Sequence, residues 1–177
     1  MRKIVASTVL VLATATACSG GGGTSATSSS SPSPTFSAQE QAAITSLTTA
    51  FTSGRLTLKT DATSAGCVAT GLVSQLGIDK LQSYKVIKST MDATRKGLGA
   101  VAMTEADANV TAGVVLGCVP PLTAVQKLAT DSGMKKKQAR CLATKLTPDA
   151  LKLMFVSYLD QQVTLDKSVT KALRACT

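Results

Sequence analysis

The chain has 177 residues, with 19 Lys and Arg against 10 Asp and Glu for a net charge of +9, and it contains neither histidine nor tryptophan. The missing histidine excludes Ser-His-Asp and Cys-His triads, imidazole acid-base catalysis and His-ligated zinc. With aromatic residues at only 3% there is no stacking platform for single-stranded nucleic acid, and the positive surplus favours anionic lipid or wall polymer as a neighbour.

Met1, Arg2 and Lys3 give a short positive start, followed by the uncharged run IVASTVLVLATATA from Ile4 to Ala17. The run has the length of a signal-peptide core and falls short of the roughly 20 apolar residues that span a bilayer. Thr16 and Ala17 stand directly before Cys18, and SGGGGTSATSSSSPSP follows it without a single charge. Such a run cannot bury enough surface to fold and reads as a flexible tether.

This end of the chain resembles the lipobox of bacterial, actinobacterial-type exported lipoproteins. The resemblance is confined to residues 1 to about 35 and implies acylation of Cys18 and a place at the outer face of the cytoplasmic membrane. Two or three acyl chains, at about 0.8 kcal/mol per buried methylene, anchor stably where one is marginal. Ala15-Thr16-Ala17 also satisfies the small-x-small rule of ordinary signal peptidase, and cleavage there releases a secreted protein. The expected organisation is therefore a signal peptide over 1–17, a lipidated Cys18 with its tether over 18–35, and one domain over 36–177. Loss of Arg2 and Lys3 with the leader lowers the net charge from +9 to +7.

Ser37-Ala38-Gln39-Glu40 is a capping box, and Ile44, Leu47 and Phe51 recur at helical spacing up to Gly54. Asp61 caps a second helix with Ala65, Val68, Ala69, Leu72, Val73 and Leu76 on one stripe and Gly77 at its end. Gly66 and Gly71 inside it cost about 1 kcal/mol each relative to Ala, which points to close contact with a neighbouring helix. Asp79 starts a third helix with Leu81, Tyr84, Ile87 and Met91 inward, broken by KGLGA. Thr104-Glu105-Ala106-Asp107 opens the helix that carries Cys118, and Pro120 and Pro121 stop it. Next come a short helix through Val125 and Leu128, one from Met134 to Lys145, one capped by Thr147 with Pro148 at its first position, and a last from about Leu165 to Cys176. Period-two alternation is nowhere sustained, so the fold class is all-α, a disulfide-braced bundle of about seven or eight short helices.

Cys67, Cys118, Cys141 and Cys176 are even in number, and no C-x-x-C pair is available for zinc, so two disulfides are expected. CVATGL from Cys67 and CLATKL from Cys141 share C-x-A-T-x-L, and each is followed by a D-x-L step at Asp79 and Asp149. Each stretch then closes on a helical segment ending in Cys. Read as duplicated halves, about 55–119 and 131–177, they select Cys67 with Cys118 and Cys141 with Cys176 from the three pairings that four cysteines allow.

Little else carries chemistry. Ser132-Gly133-Met134-Lys135 matches S-x-x-K, but the S-D-N and K-T-G elements that accompany it in penicillin-binding proteins are missing, and a helix cap before a basic turn accounts for the same residues. Glu105 and Asp107 fit a helix start. Lys135, Lys136, Lys137 and Arg140 form the densest charge run, either a solvated helix face or a contact for an anionic surface. The stripe Leu151, Met154, Phe155, Tyr158, Leu159 reads as core, with an apolar ligand pocket as the alternative. The expectation is a membrane-anchored binding or structural domain with no catalysis, metal or cofactor, whose partners are the membrane, anionic lipids or wall polymers, or an envelope protein, and not nucleic acid. A carrier of a small apolar ligand is the alternative function.

Overall fold

The computed structural model describes residues 35–56, 58–131, 133–161 and 166–176, and these form one unit within 35–177. Cys18, the leader and the tether lie outside the described residues, as does Ser132 of the S-x-x-K match. Eight helices occur among the described residues: α1 (Ala38–Ser53), α2 (Ala62–Leu76), α3 (Ile78–Ser83), α4 (Glu105–Cys118), α5 (Pro121–Asp131), α6 (Lys136–Lys145), α7 (Pro148–Leu159) and α8 (Lys167–Arg174). Two disulfides brace them, so the protein is a disulfide-braced helical bundle.

The ends of the helices follow from local chemistry. At α1 the Ser37 hydroxyl accepts from the Glu40 N–H, and the Glu40 carboxylate accepts from the Ser37 N–H at 2.8 Å, so two otherwise unpaired donors satisfy each other. Gly54, at φ +74°, turns the chain out of the helix. Asp61, Thr104, Thr147 and Asp166 each accept a backbone N–H at the start of α2, α4, α7 and α8. Pro121 and Pro148 occupy first helical positions, where no N–H is required.

Packing is built on α2. Its residues Val68, Ala69 and Leu72 are wholly buried, with Leu47 and Phe51 of α1 on one side and Ala108, Ala112 and Val115 of α4 on the other. The two interior glycines behave differently. A Cβ at Gly71 would stand 2.6 Å from Cγ1 of Val114 on α4, whereas one at Gly66 would meet nothing within 4 Å. Only Gly71 is a contact glycine; Gly66 faces open space.

The bridges join Cys67 on α2 to Cys118 at the end of α4, and Cys141 on α6 to Cys176 just past α8, with Cα atoms 5.6 and 5.7 Å apart. These are the pairs that the C-x-A-T-x-L comparison selects. The order of contacts is also parallel, since α1 packs along α2 and α5 along α6. The parallel thus extends upstream to α1 and α5, beyond the segments 55–119 and 131–177. Lengths differ: α3 has 6 residues where α7 has 12, and α7 packs against α4, which joins the two sets.

One expected element is corrected. The third helix does not continue through Ile87 and Met91 but ends at Ser83, and the chain folds into a tight hairpin with an isolated antiparallel bridge between Ile87 and Ala93. Lys85 and Met91 lie at φ +55° and +64°, outside the right-handed helical region. Val86 and Ile87 are β-branched, which lowers their helix preference. Leu81, Val86 and Ile87 still point inward, so an apolar pattern with helical spacing arises from a short helix followed by a bend.

The two glycines give a paired prediction. Gly71→Ala, pushed against Val114 beside the Cys67–Cys118 bridge, should lower stability by about 1–3 kcal/mol through overpacking. Gly66→Ala, open to space and helical, should raise it by about 0.5–1 kcal/mol. Urea unfolding of the two variants checks both signs.

Candidate functional site

The residues singled out in the sequence are dispersed over the fold. Lys135, Lys136, Lys137 and Arg140 are all exposed at the start of α6, with Lys135 at the cap position donating its backbone N–H to Oε1 of Gln138. Of the α7 stripe, Leu151, Met154, Phe155 and Leu159 are core, and Tyr158 is half-buried with its hydroxyl donating to the Leu98 carbonyl at 3.2 Å. Phe155, Tyr158 and Leu159 meet Leu58, Leu98, Val115 and Leu128 around a cavity of about 10 Å³. That is room for about one water molecule, so the stripe is packed against its neighbours and encloses no ligand-sized space. Among the described residues, no group of three or more Cys, Asp or Glu could hold a metal ion, and no single helix is long and apolar enough to cross a membrane.

Asp107 departs from its reading as a residue that merely favours the dipole at a helix start. It is 7% exposed and accepts from Nζ of Lys80 and from the Tyr84 hydroxyl, both at 2.7 Å. Its own backbone N–H donates to the Thr104 hydroxyl at the α4 cap, and the Tyr84 oxygen in turn accepts the Thr104 N–H at 3.2 Å. The Lys80 ammonium and then the Tyr84 hydroxyl hold the Asp107 carboxyl below the usual carboxylate range, against the opposing effect of burial. Both carboxylate oxygens are committed, so this is a lock between α3 and α4 and not a free acid or base. It also fixes Tyr84, the residue from which the hairpin departs.

A groove of about 1310 Å³ lies between α1 and that hairpin. Among the described residues, Arg55, Lys85, Lys88, Arg95 and Lys96 line it against a single carboxylate, Asp92. All five cations are exposed, and none forms an ion pair among the described residues. Asp92 is itself engaged, accepting from the Thr90 hydroxyl at 2.8 Å. The hairpin wall is held to α1 by the Ala93 N–H, which donates to Oγ of Ser46 at 2.8 Å across 47 positions of sequence. Within the hairpin the Lys88 N–H donates to the Asp92 carbonyl and the Thr94 N–H to the Val86 carbonyl. Buried Val86 and Ile87 seat it on the core. The opposite wall is the polar side of α1, with Thr45 and Thr49 exposed.

Sequence reasoning missed this groove. The signal was present in YKVIKSTMDATRK, whose cations are too spread out to register as a charge run. Assigning those residues to a helix distributed them around its circumference, whereas the hairpin gathers them on one wall.

The lock predicts an acid limb in the stability profile. Because folding lowers the Asp107 pKa, its contribution is complete above the unfolded value near pH 4 and is lost as pH falls through the lowered folded value. The capping carboxylates Glu40, Asp61 and Asp166, lowered chiefly by Ser37, Ser64 and Ser168, act in the same direction. Asp107→Asn should cost about 1–3 kcal/mol at neutral pH by giving up the charge-assisted hydrogen bonds from half-buried Tyr84 and exposed Lys80 to a buried position. It should also flatten the decline below pH 4, as read by urea midpoints across pH.

Comparison of this chain with protein-family models, with curated proteins and with solved structures finds no match.

Proposed function

We propose that the protein is an exported lipoprotein, anchored through Cys18 at the outer face of the cytoplasmic membrane, whose helical domain acts by binding or structural association and not by catalysis. The observation that carries the reading is the state of the other four cysteines: all are in disulfides, the form that persists in oxidising, extracytoplasmic compartments. Cys18, at the end of an apolar leader and the start of an uncharged Gly/Ser/Pro run, is the position at which a lipid would be attached. The run then works as a tether. A flexible linker of this length keeps the domain near the membrane and raises its effective concentration toward neighbouring envelope components.

A binding role accords with the chemistry of the domain. Its buried carboxylate, Asp107, is fully occupied by Lys80 and Tyr84, while the groove between α1 and the hairpin is lined by cations that form no ion pair among the described residues. The carrier alternative gains no support from the small interior cavity. Release as a secreted protein by cleavage after Ala17 remains the second reading, favoured by the Ala15-Thr16-Ala17 sequence.

Cell fractionation of Cys18→Ala separates the two. The lipoprotein reading expects the native chain in the membrane fraction and the variant, cut by ordinary signal peptidase at Ala15-Thr16-Ala17, in the soluble extracytoplasmic fraction. Unchanged distribution of the variant would contradict it.

A further inference from the structure

We infer that the groove between α1 and the 84–96 hairpin is a binding site for a strand of polyol-phosphate polymer, a chain in which phosphodiester charges alternate with hydroxyl-bearing units. This deepens the reading of an extracytoplasmic binding domain by assigning its surface and ligand class, and it places the site away from the Lys135–Arg140 run on α6.

Charge comes first. Arg55, Lys85, Lys88, Arg95 and Lys96 converge on one groove with only Asp92 opposing them. A local excess of four positive charges is more than half of the +7 carried once Arg2 and Lys3 are gone. Unpaired cations on one face normally repel one another and are tolerated on an exposed surface, but an anionic strand laid among them replaces repulsion with several attractions at once. A groove of about 1310 Å³ is far larger than a single phosphate, and its cations are exposed rather than closed around one point. That arrangement suits repeated charge along a strand. Arg55 and Arg95 supply planar forks suited to phosphate oxygens, and the lysines supply point charges.

The opposite wall adds the second half of the chemistry. Thr45 donates its hydroxyl proton to the Gln41 carbonyl at 2.9 Å, and Thr49 donates to the Thr45 carbonyl at 3.0 Å. With their protons committed to the helix, both exposed oxygens are left as acceptors. They therefore match a ligand that brings its own hydroxyl donors. Cations on one wall and hydroxyl acceptors on the other describe a chain of phosphates and polyols. Nucleic acid fits less well, because no aromatic residue lines the groove to receive a base.

The groove is preformed. Ser46 and Ala93 bind its walls together, and the Asp107 lock fixes Tyr84 at the root of the hairpin. The left-handed backbone at Lys85 and Met91 holds a bend that directs Lys85 and Lys88 into the groove lining.

The test is titration calorimetry of the full-length protein in neutral detergent with a synthetic glycerol-phosphate polymer of about ten repeats. Binding is expected to weaken with salt at a log-log slope of about −3, from about −0.7 for each of four or five neutralised phosphates on a flexible strand. Lys88→Gln with Arg95→Gln should weaken it about tenfold at low salt, with an unchanged circular-dichroism spectrum, while Lys136→Gln with Lys137→Gln should leave it unaltered. Absence of binding, equal loss in the α6 variant, equal or tighter binding of single-stranded DNA of the same charge, or displacement by inorganic phosphate at matched phosphate concentration would each overturn the assignment. The anchor is judged separately: the Cys18→Ala chain should bind the polymer as the native chain does, so failed fractionation and failed titration implicate different claims.

Discussion

The structure depends on close approach between helices whose side chains are small. Where α2 meets α4, no Cβ can be placed at Gly71 without driving into Val114, and the same two helices are joined by Cys67–Cys118. The interior is dominated by Ala, Val and Leu, with Phe51 and Phe155 as its buried rings. Each small side chain removes little apolar surface from water, at about 25 cal/mol per Å², so the helices must come near enough for dispersion contacts to accumulate. A covalent bridge that limits the unfolded chain complements a core of this kind.

From that junction the rest of the site follows. Holding α4 on α2 brings Asp107 to Lys80 and Tyr84, and satisfying this buried carboxylate fixes the end of α3. The chain that leaves α3 is then committed to a direction along α1, where Ser46 receives the Ala93 N–H and the hairpin becomes the second wall of a basic groove. A surface that looks peripheral is thus connected to the core through the hydrogen bonds of one buried carboxylate and one hydrogen bond to α1. The groove cations form no ion pair among the described residues, which leaves them available to a ligand.

Much of the fold was legible because helix ends are encoded locally. Ser37 with Glu40, Asp61, Gly77, Thr147 and Pro148 each act through groups within a few residues of themselves. The cysteine pairs were readable for another reason, since the recurrence of C-x-A-T-x-L carries relational information that spacing alone lacks. The hairpin was not legible. Leu81, Tyr84 and Ile87 repeat at helical intervals, but the chain turns left-handed at Lys85, next to Tyr84, whose hydroxyl is held by Asp107 from 23 positions away. Gly66 and Gly71 carry the same residue signal in the same helix, and only the path of α4 decides which of them needs to be glycine. The groove was hidden for the same reason, because its cations become neighbours only after the bend forms.

The central claim is that this small-residue bundle is stable in its oxidised form and depends on an oxidising environment. The two bridges close loops separated by 51 and 35 positions that do not overlap, so their effects on the unfolded chain should add, at about 4 kcal/mol each on the chain-entropy model. Their sum of about 8 kcal/mol is comparable to the whole stability of an ordinary domain, about 5–15 kcal/mol. The direct measurement is urea unfolding by circular dichroism with and without a thiol reductant. The account predicts that the oxidised chain unfolds in one cooperative transition and that the reduced chain has a transition shifted to near zero denaturant or lost altogether. A reduced chain that retains the oxidised midpoint would contradict it.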